Sequence, residues 1–301
     1  MSARERRTFP LVPRRRLSGL PFGDLPSRRR GHGTEVIGTR PYEPRDPVST
    51  IDWFASARLS SASGGDEFVV RDRAADEAPR VTIVLDRRPA MDLYPAPLPW
   101  LSKRAAQREA ANSISASAAA ARADIAALDF GGGDAWWLPP GRRDRPWTVA
   151  ARTDEAPFAA PDDTVVLALR FLGQRRTDVP GGTFVFVLSD FLVHVPEDCW
   201  LDAIAHGWDV VPVVIQDPVW ERSWPDVAGV GLPIGGTGLV RLSRREAARL
   251  RSEHERRYET LLAGLQTVGL RPVELDSSDP ERIDEAFLAW AEERRRGRWA
   301  R

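Results

Sequence analysis

Apolar residues in this chain gather into short runs of two kinds, and the contrast between them predicts the fold. Val81–Leu85, Thr183–Leu188 and Asp209–Ile215 are continuous and rich in β-branched or aromatic residues. A strand covered on both faces reads this way, because neither side of its pleat meets water. Between these runs lie segments with helical spacing. In Ser102–Arg122, Ala110, Ile114, Ala118 and Ala121 recur four, four and three residues apart, and Ser102 is placed to cap the helix. Ser243–Val268 predicts a long charged helix, with Ser243 and Glu246 at capping-box spacing. Asp163–Gln174, Glu197–His206 and Pro280–Arg296 complete the predicted helices. Asp124–Phe130, Asp134–Leu138 and Leu270–Leu275 complete the strands of this part. The alternation predicts an α/β fold: a mostly parallel sheet with helices on both faces. Residues 141–162 are polar and punctuated by proline, with no legible period.

Thr34–Arg40 and Phe68–Arg71 are short strand candidates, and Ser60 to Gly65 reads as a loop. Between them lies Thr39-Arg40-Pro41-Tyr42-Glu43-Pro44-Arg45-Asp46, followed by Ile51-Asp52-Trp53-Phe54-Ala55-Ser56-Ala57-Arg58. This stretch resembles the signature of the domain-of-unknown-function-58 family. Val81–Asp86 and Phe184–Phe191, with its Ser189-Asp190-Phe191, resemble two of that family's core strands. The resemblance runs over about residues 28 to 295. It implies a von Willebrand factor A-like α/β domain, and an adaptor role beside a MoxR-type AAA+ ATPase. The expected organisation is a basic flexible arm at 1–33 and a signature segment at 34–80 packed on the core. An A-like domain follows at 81–296, with a tail at 297–301. The chain departs from the family at Arg45, where a glycine is usual, and carries no pair of membrane helices ahead of the signature.

Charge refines the picture only locally. Acids and bases balance at 43 each, so no global field draws the chain to nucleic acid or a membrane. Residues 1–30, however, carry nine arginines against Glu5 and Asp24, a basic arm suited at most to an acidic partner or peripheral contact with anionic lipid. The single lysine, Lys103, follows no glycine, so the chain has no P-loop of its own. Lone Cys199 excludes an internal disulfide and fits a reducing, cytoplasmic setting. No apolar run approaches the ~20 residues of a membrane span.

Candidate chemistry centres on aspartates that end predicted strands. In open α/β sheets ligands sit beyond the carboxyl ends of strands, where the strand order reverses. Asp86 and Asp190 qualify, and Asp217 ends a third strand on the same edge. The resemblance would place a metal-ion-dependent adhesion site here, built on Asp-x-Ser-x-Ser. The chain reads Asp86-Arg87-Arg88-Pro89-Ala90, so both hydroxyl ligands are replaced and two arginines arrive. A degenerate site without cofactor is expected, with Arg88 or Arg87 taking the cation's electrostatic place. Mg or Mn on Asp86 and Asp190 is the alternative, and would permit phosphoryl-transfer or hydrolytic chemistry. In the signature, Arg40, Tyr42, Asp46, Asp52, Trp53, Ser56 and Arg58 are the residues of interest. Trp53 is expected in the core, and Asp52 is expected to pair internally with Arg58. His194, four residues after Asp190, is the one histidine near the rim in sequence. Asp217-Pro218-Val219-Trp220-Glu221 with Trp224 suggests a semi-rigid aromatic loop.

Overall fold

The computed structural model describes residues 7–14, 20–44, 46–93, 101–142, 144–234 and 238–299. The signature region holds β1 (Leu20–Pro41), α1 (Trp53–Ser63) and β2 (Val69–Ala78). The remainder runs β3 (Arg80–Leu85), α2 (Lys103–Ala120), β4 (Asp124–Asp129), β5 (Trp136–Gly141), α3 (Arg145–Glu155) and α4 (Thr164–Gly173). It continues through β6 (Phe184–Ser189), α5 (Glu197–Ala205), β7 (Asp209–Ile215), β8 (Gly231–Ile234), β9 (Gly238–Arg241), α6 (Arg244–Thr267), β10 (Val273–Leu275) and α7 (Pro280–Trp299).

The central sheet has the order β10-β7-β6-β3-β4-β5. All its pairings are parallel except β4 with β5. The chain leaves β3 toward β4 and later returns to β3's other side through β6, so the order reverses between β3 and β6. β5 is the outer strand, which is why Pro139 and Pro140 fit within it. The pleat sorts the apolar runs between two cores. Ile83, Leu85, Phe186, Leu188, Val213 and Ile215 face α2 and α7. Val84, Val185, Val187, Val210 and Val214 face α4 and α5, with Leu265 of α6 alongside. The fold is therefore mixed α/β with helices on both faces of a mostly parallel sheet, as the run pattern predicts.

Several expectations need correction. The first 33 residues do not act as one arm: Phe9, Leu11 and Val12 are buried in the α2/α7 core. Phe9 stacks on Phe287 at 4.6 Å and meets Phe186 and Trp290 edge-on. Arg294 donates to both Asp209 carboxylate oxygens at 2.9 Å and to the Val12 carbonyl, while the Arg14 amide also donates to Asp209. An apolar tetrad between arginines is too short to show a period, and its partners on α7 lie some 280 residues away. From Leu20 onward the chain forms β1, antiparallel to β2. The arm's residues 1–6 and 15–19 lie outside the described residues. Ser60–Ser63, expected as loop, is the last turn of α1, which ends at Gly64 with φ 74°. Residues 141–162 contain α3, and α7 runs through the expected tail to Trp299. β8 and β9 form an antiparallel hairpin with no counterpart in the sequence reading.

The N-terminal plug yields a test. Phe9→Ala empties the space between Phe287, Phe186 and Trp290 and is expected to cost about 3–5 kcal/mol. Urea unfolding of mutant and parent measures it. A flexible arm would give coincident midpoints.

Candidate functional site

β3, β6 and β7 all point their carboxyl ends at one rim, and each hands on an acidic residue there. Asp86 follows β3, Asp190 follows β6 and Asp217 follows β7; all three are buried. Two carboxylates this close in a dry setting repel unless a cation lies between them. Arg88 provides it. Its backbone N–H bonds Asp86 Oδ1 at 2.9 Å, which folds the side chain back toward the strand end. Its guanidinium then donates to Asp86 Oδ2 at 2.6 Å, and to Asp190 Oδ1 in a short contact. Ser189 Oγ donates to Asp86 Oδ2 at 2.6 Å, and the Leu192 N–H donates to Asp190 Oδ1 at 3.0 Å.

Lys103 extends the network. Its Nζ donates to Asp190 Oδ2 at 2.8 Å and to Glu221 Oε1 at 2.6 Å. The other Glu221 oxygen accepts the Asp217 N–H at 2.8 Å. Lys103 is the first residue of α2, an unfavourable place for a cation beside unpaired helix N–H groups. Two buried carboxylates offset that cost. Asp217 takes no cation in this network: it accepts backbone N–H bonds from Leu101, Val219 and Trp220 at 2.8–3.0 Å. Gln107 and Gln216 tie the strand ends through the Asp86, Leu188 and Asp190 carbonyls. Phe191, just after Asp190, has φ 50°, a strained value for a non-glycine residue.

The charges respond to this enclosure in different directions. Burial opposes ionisation of Asp190, but Lys103 and Arg88 outweigh it and hold the carboxyl below the usual range. Burial likewise works against Arg88 and Lys103, yet their carboxylate partners hold both protons more firmly than usual. Glu221 differs: burial dominates its single cation, and the nearby Asp190 adds to it, so its carboxyl is pushed up. Arg87 points elsewhere. It is buried over the Phe158 ring at 4.7 Å, donates to the Arg152 carbonyl, and is lowered by burial to about 10. Beside it Arg152 holds Asp129 through two bonds of 2.6 Å.

A divalent ion does not fit this arrangement. The space between Asp86 and Asp190 is taken by a guanidinium, and Lys103 lies on the second Asp190 oxygen, so the oxygens a hard cation would need are already engaged. Among the described residues no group of three or more His, Cys, Asp or Glu is placed to hold a metal. His194 is exposed and takes no part. Of the residues singled out in the sequence, Asp86, Arg88 and Asp190 come together, with Asp217 one bond away. Lys103 and Glu221 complete the network, and the signal for Lys103 was its being the single lysine of the chain.

The signature forms a separate constellation. Arg40 binds Asp46 through two bonds, of 2.7 and 2.5 Å, and Asp46 also accepts the Glu43 N–H. Asp52 caps α1 by accepting the Ala55 N–H, and pairs with Arg71 at 2.8 Å. The expected Asp52–Arg58 pair is not formed, and Arg58 is exposed. Six residues along a helix lie on different faces, whereas Arg71 approaches from β2. Ser56 is buried, donating to the Asp52 carbonyl and accepting the Val69 N–H. Trp53, expected in the core, is 58% exposed and meets Phe68 edge-on, as Tyr42 does. Arg45 lies outside the described residues. The loop after β7 packs as a small aromatic unit, Trp220 on Trp224 on His254, with His254 Nδ1 3.0 Å from the Trp220 and Ser223 carbonyls.

Fold and rim together define an α/β protein whose switch point is filled by its own ion pairs. Residues 38–261 match the family described as "Protein of unknown function DUF58", and the chain belongs to it. An uncharacterized protein of Mycobacterium bovis, Mb1516, is 28% identical over 250 residues, covering 78% of this chain and 71% of its own length. Its Mycobacterium tuberculosis counterpart Rv1480 matches equally. An aerotolerance-related membrane protein from Bacteroides fragilis aligns over 69% of this chain and 98% of its own, with 15% identity and TM-score 0.41. BatB from Bacteroides thetaiotaomicron aligns over 71% and 99%, with 14% identity and TM-score 0.40. No helix among the described residues is long and apolar enough to cross a membrane.

Two outcomes follow from the geometry. Arg88→Ala leaves Asp86 and Asp190 uncompensated and is expected to destabilise by about 3–5 kcal/mol, read by chemical unfolding. Asp52→Ala, losing a cap and a partly exposed pair, should cost about 1 kcal/mol. Because Asp190's carboxyl is held low in the folded protein, its ionic contribution is present above its ordinary value of 3.8 and fades as pH falls through the lower folded value. The stability gap between Asp190→Asn and parent should therefore narrow below about pH 4, in a series of thermal melts.

Proposed function

We propose that this chain is a non-enzymatic interaction protein. In this reading it is a von Willebrand factor A-like adaptor whose adhesion site has degenerated into an internal ion-pair network. The carrying observation is the Arg88 guanidinium lodged between Asp86 and Asp190, all three buried. Carboxylates engaged this way are not free to hold a catalytic ion or to act as general bases, so the geometry gives no support to hydrolysis or phosphoryl transfer by the strand-end aspartates.

An adaptor of this kind works with a motor. The reading pairs the chain with a MoxR-type AAA+ ATPase on the cytoplasmic side, which would supply the ATP hydrolysis that this sequence has no P-loop to perform. Lys103, the one lysine available for a phosphate, is instead bound between Asp190 and Glu221.

Calorimetry with Mg²⁺ and Mn²⁺ tests the site. The parent should show no micromolar binding, and Arg88→Ser with Ala90→Ser should bind more tightly than the parent. Micromolar binding by the parent that vanishes in Asp86→Ala would overturn the reading. The adaptor role is tested separately: the purified chain should change the ATPase rate of the host's MoxR-type enzyme at saturating ATP.

A further inference from the structure

With the rim sealed by its own cations, an interaction protein of this build must present a partner surface elsewhere, and the signature segment carries one. α1 buries only Ser56. Val48, Trp53, Phe54, Leu59 and Phe68 are all exposed, Phe54 at 81%. Tyr42, Phe68 and Trp53 form an edge-to-face ladder with centroids 6.0–6.4 Å apart. Beside the ladder lies an open groove of about 440 Å³, whose lining includes Arg40, Tyr42, Leu59, Asp66, Glu67 and Phe68. Large aromatic rings left in water, held rigid by a capped helix and a strand, are what interface anchors are made of.

The charges around the groove indicate what occupies it. Its one lining arginine, Arg40, is paired with Asp46, and Arg71 on β2 is paired with Asp52. Asp66 and Glu67 line the groove as exposed carboxylates with no cation partner among the described residues, and Glu43 is exposed nearby. Arg58, on α1, is the counter-example in sign. A cationic side chain entering here meets two carboxylates at its head and the Tyr42 and Phe68 rings along its stem. An acidic rim is repelled by an anionic bilayer. A two-fold contact between copies would turn the same acidic groove on itself.

We propose that the Tyr42–Phe68–Trp53 face and its groove dock a protein segment that presents an arginine or lysine among apolar residues. This deepens the interaction-protein reading and does not depend on the ATPase assignment. The probe is a designed 16-residue helical peptide of leucine, alanine and glutamine with one central arginine, followed by fluorescence anisotropy on the full chain. A glutamate-for-arginine version and vesicles with 30 mol% phosphatidylglycerol serve as comparators. These design values are about the size of a four-turn helix and a typical anionic fraction. The arginine peptide should bind, weaken with salt, and lose at least about tenfold in affinity with Trp53→Ala and with Asp66→Asn plus Glu67→Gln, a change of about 1.4 kcal/mol. Thermal midpoints of these variants should match the parent, because the side chains are exposed. Equal binding of the glutamate peptide, indifference to the variants, vesicle binding, or self-association abolished by Trp53→Ala would each overturn the proposal. Metal calorimetry reads the sealed rim independently, so either idea can fail alone.

Discussion

Two carboxylates at the ends of neighbouring parallel strands cannot both stay ionised away from water without a positive charge between them. Asp86 and Asp190 impose that constraint, and much of the rim is arranged around meeting it. Arg88 does so from two residues away, so its tether is local and its placement follows from one backbone turn. Lys103 does so from the start of α2, which fixes the depth of that helix against β6. Glu221 balances Lys103 and, by accepting the Asp217 N–H, fixes the loop after β7. The loops following three strands and the first turn of one helix are thereby held by one continuous set of charges. Asp217, on the same edge, is satisfied by backbone donors, which shows how one sheet edge can answer the same demand in two ways.

A guanidinium in this position differs from a metal ion in ways that matter for what the rim can do. It is covalently part of the chain, is never titrated near neutrality, and offers fixed planar donors. A divalent ion exchanges with solvent and keeps a coordination position for a ligand. The enclosed network keeps none, and its state is independent of ionic supply. The aromatic rings of α1, by contrast, stand open to solvent, with Trp53 and Phe54 both exposed.

The sheet was legible because strands buried on both faces leave uninterrupted β-branched runs, and the Ser243–Glu246 capping box marked α6 to within a residue. α3 was not, since Arg145, Pro146 and Arg152 give its stretch the look of a loop while its apolar face is little more than Val149. The β8–β9 hairpin has strands of four residues, too short for any period. In the site, Asp86, Arg88 and Asp190 could be read because strand ends are predictable and the lost serines stood out. Lys103 stands out in the sequence only for the motif it lacks. Asp52's true partner lies 19 residues on, across a helix and into a strand, where sequence distance carries no hint of contact. Trp53 misleads because size and aromaticity suggest burial, whereas at the first turn of α1 its ring stays largely in water.

The clasp of Arg294 on Asp209 and Val12, with Phe9 stacked on Phe287, has a consequence for the order in which the protein takes shape on the ribosome. Phe9 is made some 278 residues before Phe287, the ring it stacks on in α7. Until α7 emerges, the apolar tetrad has no place to go, and the face of the sheet it shares with α2 stays open. Closing a loop of that length is slow and entropically costly, and it comes only after the rest of the sheet exists. The nascent chain must therefore carry its own unburied plug while all the residues between Phe9 and α7 are made, the condition under which growing chains depend most on being shielded from one another.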